Sequence, residues 1–96
     1  MFEGLPGAEL ISEGLTDLQS GRETIPALLV AIGGPKLKQL GINLPDHQFA
    51  VPEHRLYDLL AEEDSDSAHS RYNALIRKLV SFERAASCVK NKSASS

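Results

Sequence analysis

Apolar residues in the last third of the chain recur in alternating steps of four and three. This seven-residue spacing places them along one stripe of a long α-helix. The stripe consists of Ala68, Tyr72, Leu75, Leu79, Phe82, Ala86 and Val89. The pattern predicts a helix that begins at about residue 67 and ends at residue 88 or 89.

This stripe is broader than the seam of a two-stranded coiled coil. Ile76 and Val80 add a third apolar position to each heptad, whereas a strict coiled-coil seam uses two. We therefore expect the stripe chiefly to face the core of the domain, with a contact between two copies of the chain as a second use.

Four shorter helices are predicted before the long one. Apolar residues at helical spacing indicate their inner faces, prolines mark their first turns, and glycines mark their ends. The predicted helices cover residues 8–20, 25–32, 36–40 and 53–63. Pro6 is expected in the first turn of the first helix, and Gly14 on its apolar face suggests a close-packed neighbour.

The second of these helices is expected to be central, because residues 25–32 are apolar on nearly every side. A buried strand over residues 27–32 is the competing interpretation, since short apolar runs are ambiguous. Thr24 as an N-cap and Pro26 in the first turn favour the helix.

The predicted fold class is therefore all-α: a compact irregular bundle of four main helices plus one short helix, organised by the long amphipathic C-terminal helix. Residues 1–89 form a single domain, and the polar residues 90–96 are predicted to be a flexible tail. Residues 43–51 are predicted to be an ordered loop held by Leu44, Phe49 and Val51.

Composition agrees with a small globular domain. Of 96 residues, 42% are hydrophobic and 24% charged, which is close to globular averages. Cys88 is the single cysteine, so no disulfide can form within the chain. No secretory leader is visible, and the longest apolar run falls short of the roughly 20 residues that a membrane span needs. A cytoplasmic protein without membrane association is expected.

The charges divide unevenly along the chain. Residues 1–66 carry twelve acids and four bases, while residues 67–96 carry six bases and one acid, Glu83. The two parts should attract each other, which favours folding of the last helix onto the acidic part.

The last helix also carries the candidate interaction surface. Arg71, Arg77, Lys78 and Arg84 would form a basic ridge, and Arg71, Tyr72, Asn73 and Arg77 a polar cluster. Tyrosine and arginine are enriched at binding hot spots, so this cluster is a candidate docking surface. The other interpretation is that Tyr72 belongs to the core and its neighbours are ordinary surface residues.

No catalytic, metal or cofactor site is predicted. His54 and Asp58 are four apart on one helix and His69 lies further on, but two side chains do not complete a metal site. The segment Gly33-Gly34-Pro35-Lys36 lacks the spacing of a phosphate-binding loop and is interpreted as a hinge between helices.

The function predicted from these features is that of a non-catalytic adaptor or regulatory subunit, which acts by binding another protein or by self-association. Two alternatives remain open. One is a nucleic-acid-binding regulator that uses the basic ridge, although the acidic isoelectric point near 5.5 does not favour it. The other is a small-ligand-binding protein or enzyme with a pocket between helices, which would bring His54, Asp58 and His69 together.

Overall fold

A computed structural model describes residues 4–44 and 51–95 and shows five helices and no strand within them. The helices are α1 (Ala8–Gln19), α2 (Ile25–Ile32), α3 (Gly34–Gln39), α4 (Pro52–Glu63) and α5 (Ala68–Ser95). Side chains are described as far as Val89. The all-α prediction, with four main helices and one short one, is confirmed. Most of the loop predicted for residues 43–51 lies outside the described residues.

Local capping explains where the helices begin and end. The hydroxyl of Thr24 accepts the amide N–H of Ala27 at 3.2 Å, which caps α2 and excludes the strand interpretation of residues 27–32. Gly21 and Gly41 follow α1 and α3 with φ of +73° and +88°. The amides of these glycines and of the residues that follow them, Arg22 and Ile42, donate to carbonyls of the last helical turn, so both ends are Schellman motifs.

Three local predictions are wrong. Gly7, not Pro6, adjoins the first turn of α1, because φ of +78° at the N-cap suits glycine. Val51 does not anchor a loop, since it is 50% exposed at the N-terminus of α4. Helix α5 continues to Ser95 instead of ending at residue 88 or 89, because no glycine or proline interrupts it. Flexibility of residues 90–96 stays a prediction.

The core is built around α2. Ala27, Leu28, Leu29 and Val30 have no exposed surface. Helices α1, α3, α4 and α5 all contact α2. The sequence-based expectation of a central second helix is therefore confirmed.

Helix α1 approaches α2 closely at Gly14. The carbonyl of Pro26 and the side chain of Val30 fill the space that a Cβ at position 14 would need. Asp17 on the next turn is buried. Its carboxylate accepts the Thr24 hydroxyl at 2.6 Å, which satisfies the buried charge and joins the two helices.

Helix α5 packs on the other elements with one side only. The α5 residues Leu79 and Glu83 lie against Gly33, where an ideal Cβ would fall 2.8 Å from a Leu79 methyl carbon. At Gly7, the corresponding Cβ would lie 3.2 Å from the carbonyl oxygen of Lys78 and 3.6 Å from the Cβ of Phe82. Both glycines therefore let the backbone approach α5, and the seven-residue stripe faces the core as predicted.

The close approach at Gly14 generates a stability prediction. Replacing Gly14 with alanine gains about 1 kcal/mol of helix propensity, but the new methyl meets the backbone of Pro26, which cannot rotate away. We expect Gly14→Ala to lower the free energy of unfolding by about 1–3 kcal/mol, measured by urea denaturation. Ser12→Ala, at an exposed position of the same helix, is the control and should change stability by less than about 0.5 kcal/mol. A stabilised Gly14→Ala variant would contradict the packing described.

The environment of Glu83 generates a prediction of pH dependence. Burial raises the pKa of this half-buried carboxyl, and the charge of Lys36 opposes the rise. Because the folded-state pKa lies above the unfolded value, the folded chain favours the protonated acid. The contribution of Glu83 to stability therefore falls as pH rises from the usual glutamate pKa through the raised one.

Replacing Glu83 with glutamine removes the titrating carboxyl and therefore the loss of stability that accompanies its ionisation. We expect Glu83→Gln to be more stable than the parent at neutral pH. The difference in stability should shrink as pH falls below the usual glutamate pKa. Denaturation at neutral pH and at a pH below that pKa measures both effects. Glu13→Gln, on the exposed side of α1, removes one charge without relieving burial and should not reproduce the effect. Equal pH profiles for Glu83→Gln and the parent would show that burial of this carboxyl has no energetic consequence.

Candidate interaction surface

Helices α4 and α5 form an antiparallel pair, because the short segment 64–67 joins them and the two helices contact each other. Tyr57 of α4 and Tyr72 of α5 meet across this pair, with ring centroids 5.9 Å apart and ring planes inclined by 58°. This tilted geometry is favourable for aromatic rings. Tyr57 remains 39% exposed, so the aromatic contact reaches the protein surface.

An apolar ridge continues from this contact along α5. Tyr72, Ile76 and Val80 follow one another in steps of four, which places them in a row inclined to the helix axis. Tyr72 and Ile76 are half-buried against the core, whereas Val80 is 37% exposed. We call Tyr57, Tyr72, Ile76 and Val80 the apolar ridge. Its far end lies at the surface, so the expectation that Val80 widens the core-facing stripe is wrong.

The different lengths of α4 and α5 explain why the ridge emerges. From the level of the tyrosine pair, α4 extends only five residues to Pro52, or about 8 Å, while Val80 lies eight residues further along α5, or about 12 Å. Helix α4 therefore ends before it can cover Val80.

Burial raises the pKa of the Tyr72 hydroxyl and the charge of Glu53 adds to the rise, so this tyrosine stays neutral and is available as a hydrogen-bond donor.

Two arginines border the outer side of the ridge. Arg77 and Arg84 are exposed and seven residues apart, so they share one face of α5. Within residues 4–44 and 51–89, neither arginine pairs with a carboxylate. Asn73 lies one turn before Arg77, and its amide is 3.3 Å from the Nε2 atom of His69.

The remaining members of the predicted surface belong elsewhere. Arg71 forms an ion pair with Glu63 at 2.7 Å, which ties the start of α5 to the end of α4. Lys78 lies against the segment that precedes α1. A seven-residue spacing relates Arg71 to Lys78 and Arg77 to Arg84, but the two pairs are about 120° apart around the helix. The four residues therefore do not form the single basic ridge that was predicted.

The charge asymmetry produces little direct pairing. Among the described residues, Arg71 with Glu63 is the one ion pair between α5 and the acidic part of the chain. Arg22 and Arg55 pair instead with Asp17 and Glu23. The basic residues on the outer side of α5 are thus left facing solvent.

The structure does not assemble His54, Asp58 and His69 into a pocket. All three are exposed, and His69 contacts Asn73. In the described part of the chain, no group of three or more His, Cys, Asp or Glu side chains has an arrangement suited to a metal ion.

A separate concavity of about 570 Å³ lies where the segment before α1 meets α5. Its lining is mainly apolar, and Glu9 and Lys78 are its charged residues. It is formed by Gly4, Leu5, Pro6, Gly7, Ala8, Glu9, Leu10, Leu75 and Lys78. None of the described residues that line it is a histidine, cysteine or serine.

Sequence reasoning missed Tyr57 as part of the surface. Leu56, Leu59 and Leu60 form the inner side of α4, and Tyr57 lies about 100° around the helix from Leu56. A large aromatic residue at the edge of an apolar stripe was the available signal. Which helix would meet that edge was not visible in the sequence.

None of the helices in the described residues is both long enough and apolar enough to span a membrane.

No protein-family model, curated protein or solved structure matches this chain.

Proposed function

We propose that this chain is a non-catalytic protein-binding module, an adaptor or regulatory subunit, that docks a partner protein on the apolar ridge. The observation that carries the proposal is the exposure of Tyr57 and Val80. They are two of the three large hydrophobic side chains exposed among the described residues, and Tyr72 and Ile76 connect them. Contiguous exposed apolar surface with a polar border is typical of a binding site.

The residue types on this surface support the proposal. Tyrosine and arginine are over-represented among residues that dominate binding energy. Two tyrosines contribute apolar area and hydroxyl groups at the centre, and Arg77 and Arg84 supply charge at the border. The rings have few rotatable bonds and are held against each other, so little side-chain freedom remains to be lost on binding.

Self-association through the outer side of α5 is a weaker candidate. This side carries Arg77 and Arg84 and no acidic residue, since Glu83, the one acid of α5, is half-buried beside Gly33. Antiparallel pairing about an axis that passes between Arg77 and Arg84 would bring the arginines of the two copies close together. Like charges at close range oppose association.

Site-specific photo-crosslinking tests the proposal directly. A photoreactive amino acid is placed at position 57 or 80, and at the exposed α1 position 12 as the control. In the cells that produce the protein, we expect positions 57 and 80 to yield the same covalent adduct with one partner protein, identified by mass spectrometry. Position 12 should yield none. Absence of an adduct at both ridge positions, or the same adduct at position 12, would refute the proposed surface.

Val80→Asp provides a quantitative companion measurement. Because Val80 is 37% exposed, we expect the variant to keep its fold, as monitored by circular dichroism and thermal melting. Affinity for the crosslinked partner should fall at least about tenfold, since a charge would enter the apolar part of the interface. Unchanged affinity in a folded Val80→Asp protein would contradict docking on the ridge.

A further inference from the structure

We propose that the segment that docks on the apolar ridge is an acidic amphipathic helix, whose carboxylates pair with Arg77 and Arg84 while its apolar residues cover Ile76 and Val80. This inference rests on the proposed function and specifies the chemistry of the partner. It follows from the charges left uncompensated beside the ridge, from the charge pattern of the chain itself, and from the dimensions of the surface.

Arg77 and Arg84 differ from the other arginines of the chain. Arg22, Arg55 and Arg71 each have a carboxylate within 4 Å, the closest being 2.7 Å away. Arg77 and Arg84 have none among the described residues and are exposed on one face of α5. The planar guanidinium group matches a carboxylate in two parallel hydrogen bonds, so an acidic partner would satisfy both side chains.

The length of the surface fits a short helix. Twelve residues separate Tyr72 from Arg84, which corresponds to about 18 Å along α5. A partner helix of about three to four turns covers that length and presents apolar residues at i, i+4 and i+7 on one side. Its acidic residues would flank this apolar row and reach the outer side of α5, where the two arginines lie.

A second copy of the chain in parallel orientation fits this surface less well. The acids Asp58 and Glu62 lie on α4 at and beyond the level of the tyrosine pair, toward the segment that joins the two helices. Arg77 and Arg84 lie on the opposite side of that level, about 8 and 18 Å along α5 from Tyr72. A twofold axis parallel to the helix pair preserves this offset, so it would not bring Asp58 and Glu62 of one copy to the arginines of the other.

Nucleic acid is also less well matched. The two arginines border an apolar row instead of forming part of a continuous basic patch. The chain has a net charge of -3, whereas nucleic-acid-binding domains are usually basic.

Two synthetic peptides test the partner chemistry. Both are helix-forming, about 14 residues long, and carry leucine at i, i+4 and i+7; one has glutamate at its remaining charged positions and the other lysine. Binding to the full-length protein is measured by fluorescence anisotropy at low and physiological salt. We expect the glutamate peptide to bind at least about tenfold more tightly than the lysine peptide, and its affinity to fall with added salt.

Charge reversal on the protein provides the decisive comparison. In the Arg77→Glu/Arg84→Glu double variant, the preference should switch to the lysine peptide. Lys78→Glu is the matched control, because it makes the same charge change on the same helix about 120° away. We expect that control to keep the preference for the glutamate peptide and to change its affinity by less than about threefold.

Four results would overturn the inference: no binding of the glutamate peptide, equal binding of both peptides, a double variant that keeps the original preference, or a Lys78→Glu protein that loses it. Displacement of the glutamate peptide by a single-stranded oligonucleotide would assign the surface to nucleic acid. Sedimentation of the protein alone as a dimer that Val80→Asp dissociates would assign it to a second copy. If these tests fail while positions 57 and 80 still crosslink to one partner, the docking surface stands and only its acidic occupant is wrong.

Discussion

Helix α2 contains no polar side chain, and the other helices are arranged so that water does not reach its centre. Ala27, Leu28, Leu29 and Val30 are completely buried, and each remaining helix contacts this segment. Exposing them would forfeit about 1.5–3 kcal/mol for each large aliphatic side chain. The absence of a side chain at Gly14 permits the closest of these contacts, because a Cβ would collide with the backbone of α2. The arrangement of the domain follows from covering one short apolar helix on all sides.

The candidate surface is a consequence of this arrangement. Helix α5 has 28 residues and α4 has 12, and both place their inner sides against the core. The tyrosines meet where the two helices run side by side, and Val80 emerges where α4 has ended. The outer side of α5 does not cover α2, and Arg77 and Arg84 are exposed on it. This separation of roles makes it feasible to change Arg77, Val80 and Arg84 without disturbing the core.

Most helix limits could be predicted because they depend on neighbours in sequence. The Thr24 cap, the glycine ends at positions 21 and 41, and the heptad stripe each arise within a few residues of chain. Val80 was assigned to the wrong environment, because a helical period gives the side of a helix but not the extent of the element that covers it. The prediction of a single basic ridge was wrong for a related reason. Seven-residue spacing aligned each pair of basic residues, but the two pairs lie on different sides of α5.

The sequence by itself determined the all-α class, the positions of the helices and the apolar sides that form the core, since these depend on local hydrogen bonding and periodicity. Tertiary structure decided which polar and aromatic residues pair with each other and which remain exposed at the surface. Tyr57 meets Tyr72, Arg71 pairs with Glu63, and Arg77 and Arg84 remain unpaired among the described residues, because α4 packs against one side of α5. Such contacts join residues distant in sequence, and no local pattern encodes them. The physical reason is that burial and charge pairing depend on the packing of whole elements, whereas helix formation depends on a few consecutive residues.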